Sequence, residues 1–524
     1  MKLNFYFFFL ISTLQLCSSA AAQQYFNRSY LEGLLPKLLF CDLKAVSNNK
    51  IAIAGFSTNA SNQPGGHLTF VDSLGRVTRF CDFIGRIPTY SSWWDQSLLV
   101  SNPNEFVIAA NTLRNDSVFI TIFKTDSLGN ITKTAQYASL YVKNNKFLVP
   151  ACLIKDGYNG YYCSATIVNT PSPDLDLQLT RLDSNLNIIW SKAYGIKGKE
   201  DGLLSMLLTP KSTVLLFGAL KFGNLPAINN ELMYEIDSNG ALLNSRISPT
   251  SDSLYFTSDA LFVPSDSSYI FASQAPVIGP SLYTDFYPLI YKRDKTGKIV
   301  WKTKMGNGQY NGSSMAQKVV GSFENDGYIL VGSLERLDFN DEYISRNYGF
   351  IGKVSLNGDS LWMRQYAHID GKTDSTTFSD NLYDVLKLND SYYLGGYVFG
   401  PRPHSGYTGN LQAAWLMRVD KFGCLVPGCH LPTSLPLIEA IDVHYKVFPN
   451  PVQVDLNIFV DDTKGTDLTI RFCDALGVPL KCLQHRGAAT TYILPLQSYA
   501  SGTYIVQFWQ EGRLVKGEKV VLAR

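Results

Sequence analysis

One turn, written again and again, restricts this chain to repeat architectures. In "YKRDKTGKIVWKTKMG", Tyr291 to Gly306, apolar and polar residues alternate into Asp294, Gly297 follows, and an apolar run then ends in Trp301. Asp at the first position of a turn bonds back to the backbone, and Gly at the fourth takes the left-handed conformation that closes a hairpin. The pattern recurs around Asp72 and Gly75, Asp126 and Gly129, Asp237 and Gly240, and Asp420 and Gly423. It also recurs around Asp183 with Trp190, and around Gly358 with Trp362, where Ser355 replaces the Asp. The seven anchors at 72, 126, 183, 237, 294, 355 and 420 are spaced by 54 to 65 residues. A period of this length has to be explained before any single motif.

Each copy has an earlier half. Upstream of every hairpin lies a short apolar segment with small residues, such as "KIAIAGFS" or "YILVGSL", and before it another, such as "NLYDVLKLNDS" or "SDALFVPSDSS". Each period therefore predicts four strands, a to d, separated by turn signals. Four antiparallel strands repeated about an axis make a β-propeller, whose edges are short and protected. The expected fold class is all-β: a seven-bladed β-propeller, with blades between about Leu35 and His430, followed by a small β-sandwich. Trp190, Trp301 and Trp362 share one repeat position and are expected in the core. The last outer strand would contain Pro427, which a sheet tolerates only at an edge. The segment "QYFNRSYLEG" is therefore expected to complete that blade and close the ring.

Charge is nearly balanced, with 46 Lys and Arg against 44 Asp and Glu, so no nucleic-acid or anionic-membrane footprint is expected. Few charges and many aromatics suit an exported all-β protein. The N-terminus has Lys2, an apolar stretch from about Phe5 to Leu16, and Ala20-Ala21-Ala22. It reads as a secretory signal peptide, residues 1–22, cut near Ala22, and too short for a membrane span. Bulky Leu16 before Cys17 argues against a lipoprotein site. Eight cysteines then remain, an even count that favours disulfides in an exported chain. The candidate pairs are Cys152 with Cys163, Cys424 with Cys429 and Cys473 with Cys482, leaving Cys41 and Cys81 to pair within the first blade. No metal site or cofactor is expected: "CLVPGCH" lacks a second ligand pair, and the acids at Asp461, Asp462 and Asp467, or at Asp174 and Asp176, lack calcium-loop spacing.

The last eighty residues differ in kind. After a Pro-containing linker, residues 431–444, about seven short alternating segments suggest a small β-sandwich. Three strings, "VFPNPV" (Val447 to Val452), "SGTYIV" (Ser501 to Val506) and the terminal "GRLVKGEKVVLAR", resemble the type A C-terminal sorting domain of type IX secretion cargo in Bacteroidetes. Phe448, Pro449, Asn450, Pro451, Gly502 and Tyr504 carry the resemblance. It implies an Ig-like sorting domain over residues 445–524, after a propeller over 23–430. It also implies a partner, the type IX secretion machinery at the outer membrane, and a product that is secreted or attached to the cell surface. The "GCLVPGC" ending of the last repeat resembles propeller cargo that precedes this domain, a group with no defined activity.

That address does not specify the payload. Alternating strand directions put the a–b and c–d turns on one face and the b–c and d–a loops on the other. The first set is short; the second includes Gln274 to Pro288, Leu334 to Gly349, Val398 to Gln412, Gly85 to Gln96, Gly306 to Ser314 and Ala367 to Asp380. Variable loops on a rigid scaffold are where binding usually resides. Ligand-binding candidates there are Trp93, Trp94, Tyr283, Tyr310, Tyr343, His368, His404 and Tyr407, whose rings suit stacking on sugars or anchoring a protein partner. The alternative for each is packing against a neighbouring loop. Catalysis finds little support, since no G-x-S-x-G, H-E-x-x-H or phosphate loop is present. A glycoside hydrolase or polysaccharide lyase using Asp285, Asp338, Asp341, Glu342 or Asp370 is the enzymatic alternative, and a purely structural surface protein is the third. The expected function is a monomeric exported or cell-surface binding protein with a polysaccharide or protein ligand. The "DSL" and "DST" triplets at Asp72, Asp126, Asp252, Asp359 and Asp374 resemble O-glycosylation acceptors of these bacteria, and are equally turn chemistry.

Overall fold

A computed structural model describes the chain apart from residues 1–24, 31–36, 60, 62, 85–95, 115–116, 142–151, 170–173, 197–198, 222–228, 249–255, 278–284, 307–313, 339–343, 368–376, 402–409, 427–428, 430–443, 462–467, 476, 488, 511–512 and 524. Every regular element among the described residues is a strand; none is a helix. The chain divides into two compact units, one up to Leu425 and one from Val426 onward.

The first unit is a β-propeller-type succession of antiparallel meanders. Meander 1 runs through Lys37–Ser47, Lys50–Thr58, Pro64–Asp72 and Val77–Asp82, and meander 2 through Leu98–Asn102, Glu105–Arg114, Ser117–Asp126 and Ile131–Tyr141. Meander 3 comprises Cys152–Lys155, Tyr161–Asn169, Asp174–Leu182 and Ile188–Tyr194; meander 4 comprises Glu200–Leu208, Val214–Lys221, Asn229–Ile236 and Leu242–Ile247. Meander 5 is Phe256–Val263, Ser268–Val277, Asp285–Arg293 and Ile299–Lys304, and meander 6 is Met315–Gly321, Gly327–Asp338, Ile344–Ser355 and Ser360–Tyr366. Meander 7 has three consecutive strands, Thr377–Leu388, Ser391–Pro401 and Asn410–Asp420. Its fourth place is taken by Phe26–Tyr30, antiparallel to the third strand with Phe26 opposite Arg418 and Tyr30 opposite Ala414. This is the pairing that Pro427 led us to expect.

The repeated turn does two jobs. Within its own hairpin, Asp72 Oδ1 accepts the amide protons of Leu74 and Arg76 at 2.9 Å, and Gly75 stands at φ 72°. Between meanders, the turn's carbonyls are collected by the fourth strand of the preceding meander. Trp190, Lys192 and Tyr194 of meander 3 donate to the carbonyls of Ser238, Asn239 and Gly240 at 2.9 Å each. Trp301 donates to Leu356 O at 3.2 Å, and Arg364 to Phe422 O at 2.7 Å. The same bracket joins meander 7 to meander 1, where Tyr30 donates to Gly75 O at 2.6 Å. Glycine is doubly required here: a Cβ on Gly75 would meet the Phe26 ring at 2.3 Å, and one on Gly358 would meet Trp301 at 2.7 Å. Meander 3 has Leu186 instead, at φ 63°, and buries it as part of the core beside Tyr137. The repeated tryptophans are half-buried at these seams and not in the core interior; the indole N–H groups of Trp190 and Trp301 reach the next turn.

Close packing sets other residues. A Cβ on Gly55 would lie 2.0 Å from Leu39 O and 2.4 Å from His67 Nε2. That gap lets the buried His67 ring use both nitrogens, Nε2 donating to Leu39 O at 3.1 Å and Nδ1 accepting from Thr69 Oγ1 at 2.9 Å. Burial pushes the His67 pKa down to about 4.

The second unit has a three-stranded sheet, ordered His444–Phe448, Asp455–Asp461, Thr490–Pro495, and a four-stranded sheet, ordered Pro479–His485, Leu468–Cys473, Gly502–Gln510, Arg513–Leu522. Leu456, Ile458 and Leu494 from the first and Phe472, Val506 and Val520 from the second share one core.

Three of the four expected cysteine pairs are not formed, two of them because of register and one because of distance. Cys152 lies opposite Ser164 and Cys163 opposite Leu153, so the two thiols sit one step apart and face opposite sides of the sheet, each in a different core cluster. Cys482 lies opposite Arg471, two places from Cys473, and both are thiols, the first exposed and the second buried. Cys41 and Cys81 sit on the first and fourth strands of meander 1, roughly 14 Å apart at three strand spacings, beyond disulfide reach. Cys424 and Cys429 are joined as expected.

Candidate functional site

Five of the seven innermost strands share a defect along their length. The ladder register shifts between Phe40 and Asp42, Leu203 and Ser205, Thr257 and Asp259, Ala316 and Lys318, and Leu382 and Asp384. A bulge takes a backbone group out of the ladder, and a buried N–H then needs another acceptor. A carboxylate of the neighbouring meander supplies it. Asp384 Oδ2 accepts from Leu43 N at 2.6 Å, Asp42 Oδ2 from Leu98 N at 2.7 Å, and Asp259 Oδ2 from Val319 N at 3.1 Å.

Where the acid is missing, the pattern adapts. Meander 6 has Lys318 at this position, so the Val385 amide bonds Asp384 of its own strand at 2.8 Å, while Lys318 Nζ donates to Asp259 Oδ1 at 3.3 Å. The short inner strand of meander 3 carries no such acid, and Gln96 fills in from the edge of meander 2. Its carbonyl accepts from Leu153 N at 2.7 Å, its Oε1 accepts from Met206 N at 3.1 Å, and its Nε2 donates to Asp259 Oδ1 at 3.4 Å. One residue held at φ 65° thus ties meanders 3, 4 and 5 together.

These contacts require the groups to converge where the inner strands meet. Asp42 of meander 1 and Asp259 of meander 5 both feel Asp384 of meander 7 and Lys318 of meander 6. Burial raises the pKa of both acids, opposed by Lys44 and Lys318 for Asp42 and by Lys318 for Asp259. The place where the inner strands meet therefore carries a polar plug of side chains bonded across meanders. Its carboxylates are engaged by amides and ammonium groups, which ties neighbouring meanders together. Among the described residues no three His, Cys, Asp or Glu side chains group as metal ligands.

A second buried polar cluster seals the seam between meanders 4 and 5. Glu231 receives Arg293 at 2.5 Å, Ser248 at 2.6 Å, Thr257 at 2.9 Å and the Tyr291 hydroxyl. Four donors around one carboxylate leave no free lone pair aimed at solvent.

The connections at the two ends of the strands are unequal. Those from first to second and from third to fourth strands span two to five residues. At the other end, fourth-to-first connections reach fifteen residues, from Phe83 to Ser97. Three of the expected long second-to-third loops are largely strand. The ladders run out to Val277 opposite Asp285, Asp338 opposite Ile344, and Pro401 opposite Asn410, so these hairpins project from the face. Trp93, Trp94, Tyr283, Tyr310, Tyr343, His368, His404 and Tyr407 all lie outside the described residues, as do the side chains of Asp285, Asp338, Asp341, Glu342 and Asp370.

In the second unit the motif residues do come together. The Asn450 side chain donates to Lys519 O at 2.7 Å and accepts from Val521 N at 2.9 Å, acting as a strand neighbour to the last strand. Val452 N donates to Val521 O at 2.8 Å and Ala523 N to Val452 O at 2.9 Å, continuing that contact. Tyr504 stacks on Phe472 at 5.0 Å and donates to Ala500 O at 2.7 Å. Gly502 opens its strand opposite Leu522, with open space where a Cβ would be. Pro449, Pro451, Val454 and Asp455 line a shallow depression of about 630 Å³, beside the exposed Phe448.

Residues 446–523 match the family described as secretion system C-terminal sorting domain. The chain thus carries a type IX sorting tail, which implies handling by the secretion machinery and export to the cell surface or beyond. No curated protein matches the chain in sequence. Among solved structures it is similar to the β-propeller domain of the Trilobed protease from Pyrococcus furiosus, at 7% identity and TM-score 0.37, covering 74% of this chain and 97% of that one. It is also similar to the GH93 α-L-arabinofuranosidase of Fusarium graminearum, at 10% identity and TM-score 0.35, over 75% of this chain and 98% of that one. A third likeness is to the subtype N11 neuraminidase-like protein of A/flat-faced bat/Peru/033/2010, at 13% identity and TM-score 0.35, over 64% and 94%. Likenesses this distant carry no activity across.

Proposed function

We propose that this is an exported or surface-displayed binding protein: a seven-bladed β-propeller closed by its N-terminal strand, followed by an Ig-like sorting domain. Its ligand, a polysaccharide or a protein, meets the face that carries the long connections. Closure is supported by the Tyr30–Gly75 bracket, which repeats between the ends of the ring the contact made between interior meanders. The observation that carries the functional reading is the asymmetry of the two faces. One is trimmed to turns of two to five residues, while the other bears projecting hairpins and connections of up to fifteen. The polar plug favours a ligand held at the mouth over one passing through. Export delivers the propeller to an extracellular setting, where Trp93, Trp94, Tyr283, Tyr310, Tyr343, His368, His404 and Tyr407 would supply stacking surfaces. The test is a polysaccharide and glycan array probed with the chain lacking residues 1–22, read in parallel for reducing-end release. Binding without release supports a receptor. Release would replace it with the hydrolase or lyase reading, and silence on both would turn the search to protein ligands.

A further inference from the structure

The two sheets of the second unit differ in what their outer faces show to solvent. On the four-stranded sheet the outward side chains are polar and occupied with one another. Arg471 lies over the Trp509 ring at 4.2 Å, Trp509 Nε1 donates to Gln507 Oε1 at 2.9 Å, and Thr469 Oγ1 donates to Gln484 Oε1 at 3.0 Å. On the three-stranded sheet, Tyr445 and Val447 turn to the core with Leu456, Ile458 and Leu494, so the alternate residues turn outward. Register sets Phe448 beside Asn457 and Asn457 beside Ile493, and on the next row Lys446 beside Phe459. Phe448 is 46% exposed and Ile493 65%.

The apolar surface continues past the end of that sheet. Exposed Val454, with Pro449 and Pro451, lines the shallow depression beside Phe448. A contiguous patch of this kind marks an interaction site, whereas scattered apolar residues do not. Asn457, half-buried between Phe448 and Ile493, adds an amide donor and acceptor at its middle. Proline has no N–H, so Pro449 and Pro451 deny a visiting strand its ladder bonds there. A partner has to meet this surface through side chains.

The residues that carry the sorting-domain resemblance divide here by role. Asn450 and Tyr504 are used inside the unit, against the last strand and against Phe472. Phe448, Pro449 and Pro451 lie outside its core and are exposed. We infer that the outer face of the three-stranded sheet, centred on Phe448, Asn457 and Ile493 and ending in the Pro449–Pro451 depression, is the surface by which the type IX secretion machinery grips this tail. The inference rests on the reading of the second unit as a sorting tail, and that reading selects the occupant. A unit that has to be recognised by a protein needs an exposed anchor, and the other sheet's outer face has its polar groups already engaged. Val478 and Leu480, also exposed, belong to that other sheet's edge hairpin. The partner is a protein surface with an apolar recess for the Phe448 ring and the Ile493 side chain, and a polar group to meet Asn457.

The test is export of the full precursor in a bacterium with a working type IX system, read as the fraction of the chain outside the cell. Removing residues 446–524 should abolish export; if it does not, the sorting reading fails and this inference with it. Phe448→Thr/Ile493→Thr keeps a strand-favouring residue at both positions. It should cut the exported fraction about tenfold, while the purified chain keeps the melting temperature of its second unit. Val478→Thr/Leu480→Thr, a comparable loss of exposed apolar surface on the other sheet, should be exported as the parent chain is. If the first pair lowers that melting temperature, Ile493→Lys alone decides, since 65% of that residue is already in solvent. Full export of the folded first pair, or of Ile493→Lys, beside blocked export of the truncated chain would overturn the inference and leave the sorting reading standing. Equal losses from the two pairs would also overturn it, since recognition would then not depend on this face.

Discussion

The turn glycines allow conformation and contact to be separated by experiment. Gly75 and Gly157 both lie in turns of the first unit, at φ 72° and 83°. An Ala side chain in this left-handed region costs about 1–2 kcal/mol. At Gly157 nothing else is displaced, since the nearest atom to a Cβ is Leu208 Cδ2 at 3.6 Å. At Gly75 the Cβ would stand 2.3 Å from Phe26 Cζ and 2.5 Å from Cε2. The Phe26 ring is buried and packs at 6.4 Å from Tyr393, so it cannot swing into solvent without losing its contacts. Overpacking of this kind adds roughly 1–3 kcal/mol. Gly157→Ala should therefore cost about 1–2 kcal/mol and Gly75→Ala about 2–5 kcal/mol. Urea unfolding followed by tryptophan fluorescence measures both, and hydrogen exchange at residues 26–30 should accelerate only in Gly75→Ala. Equal midpoints for the two variants, or unchanged protection of residues 26–30, would refute the claim that this turn anchors the closing strand.

Deleting residues 23–33 should lower the melting temperature of the first unit by several degrees, and an unchanged transition would remove Phe26–Tyr30 from the closure. Because burial depresses His67 to about 4, it binds protons less readily folded than unfolded. Its contribution is present above pH 6.5 and fades as pH falls toward 4, by about 3 kcal/mol at full effect; His67→Gln should flatten the stability profile in that window even if it lowers the whole curve. Asp42→Ala strips the acceptor from the Leu98 amide and the partner from Lys44; it should cost about 3–5 kcal/mol, read by urea unfolding, with Asp42→Asn milder. Asn450→Ala removes two bonds to the last strand and should cost the second unit about 1–3 kcal/mol, seen as a lower melting temperature of that unit.

What could be read from sequence was local chemistry. The D-x-x-G turns announce themselves because Asp and Gly act within five residues, and the structure places each one at a hairpin. Cys424 and Cys429 were legible for the same reason, as a short loop constrains its own ends. Cys152 and Cys163 were not, since a single step of register decides which face a thiol occupies, and turn signals do not fix that step. The polar plug was least legible. "CDLKA", "SDALF" and "YDVLK" look like polar interruptions of apolar strands, and their burial makes sense only once the neighbouring meander supplies an orphaned amide. Gln96 gave no signal at all, because its three partners lie in meanders that follow it in the chain. The repeated tryptophans were misjudged as interior because periodicity shows that a position is shared, not which atoms it must reach.

The most direct measurement of the central claim compares the two faces of the propeller with whatever ligand the array yields. Affinity is measured for the chain, for Trp93→Ala/Trp94→Ala on the long connection after meander 1, and for Lys295→Glu/Lys298→Glu in the meander 5 turn. The account predicts at least a tenfold loss, about 1.4 kcal/mol, from the tryptophan pair and no change from the lysine pair. Loss confined to the lysine pair would place the ligand on the trimmed face and contradict it.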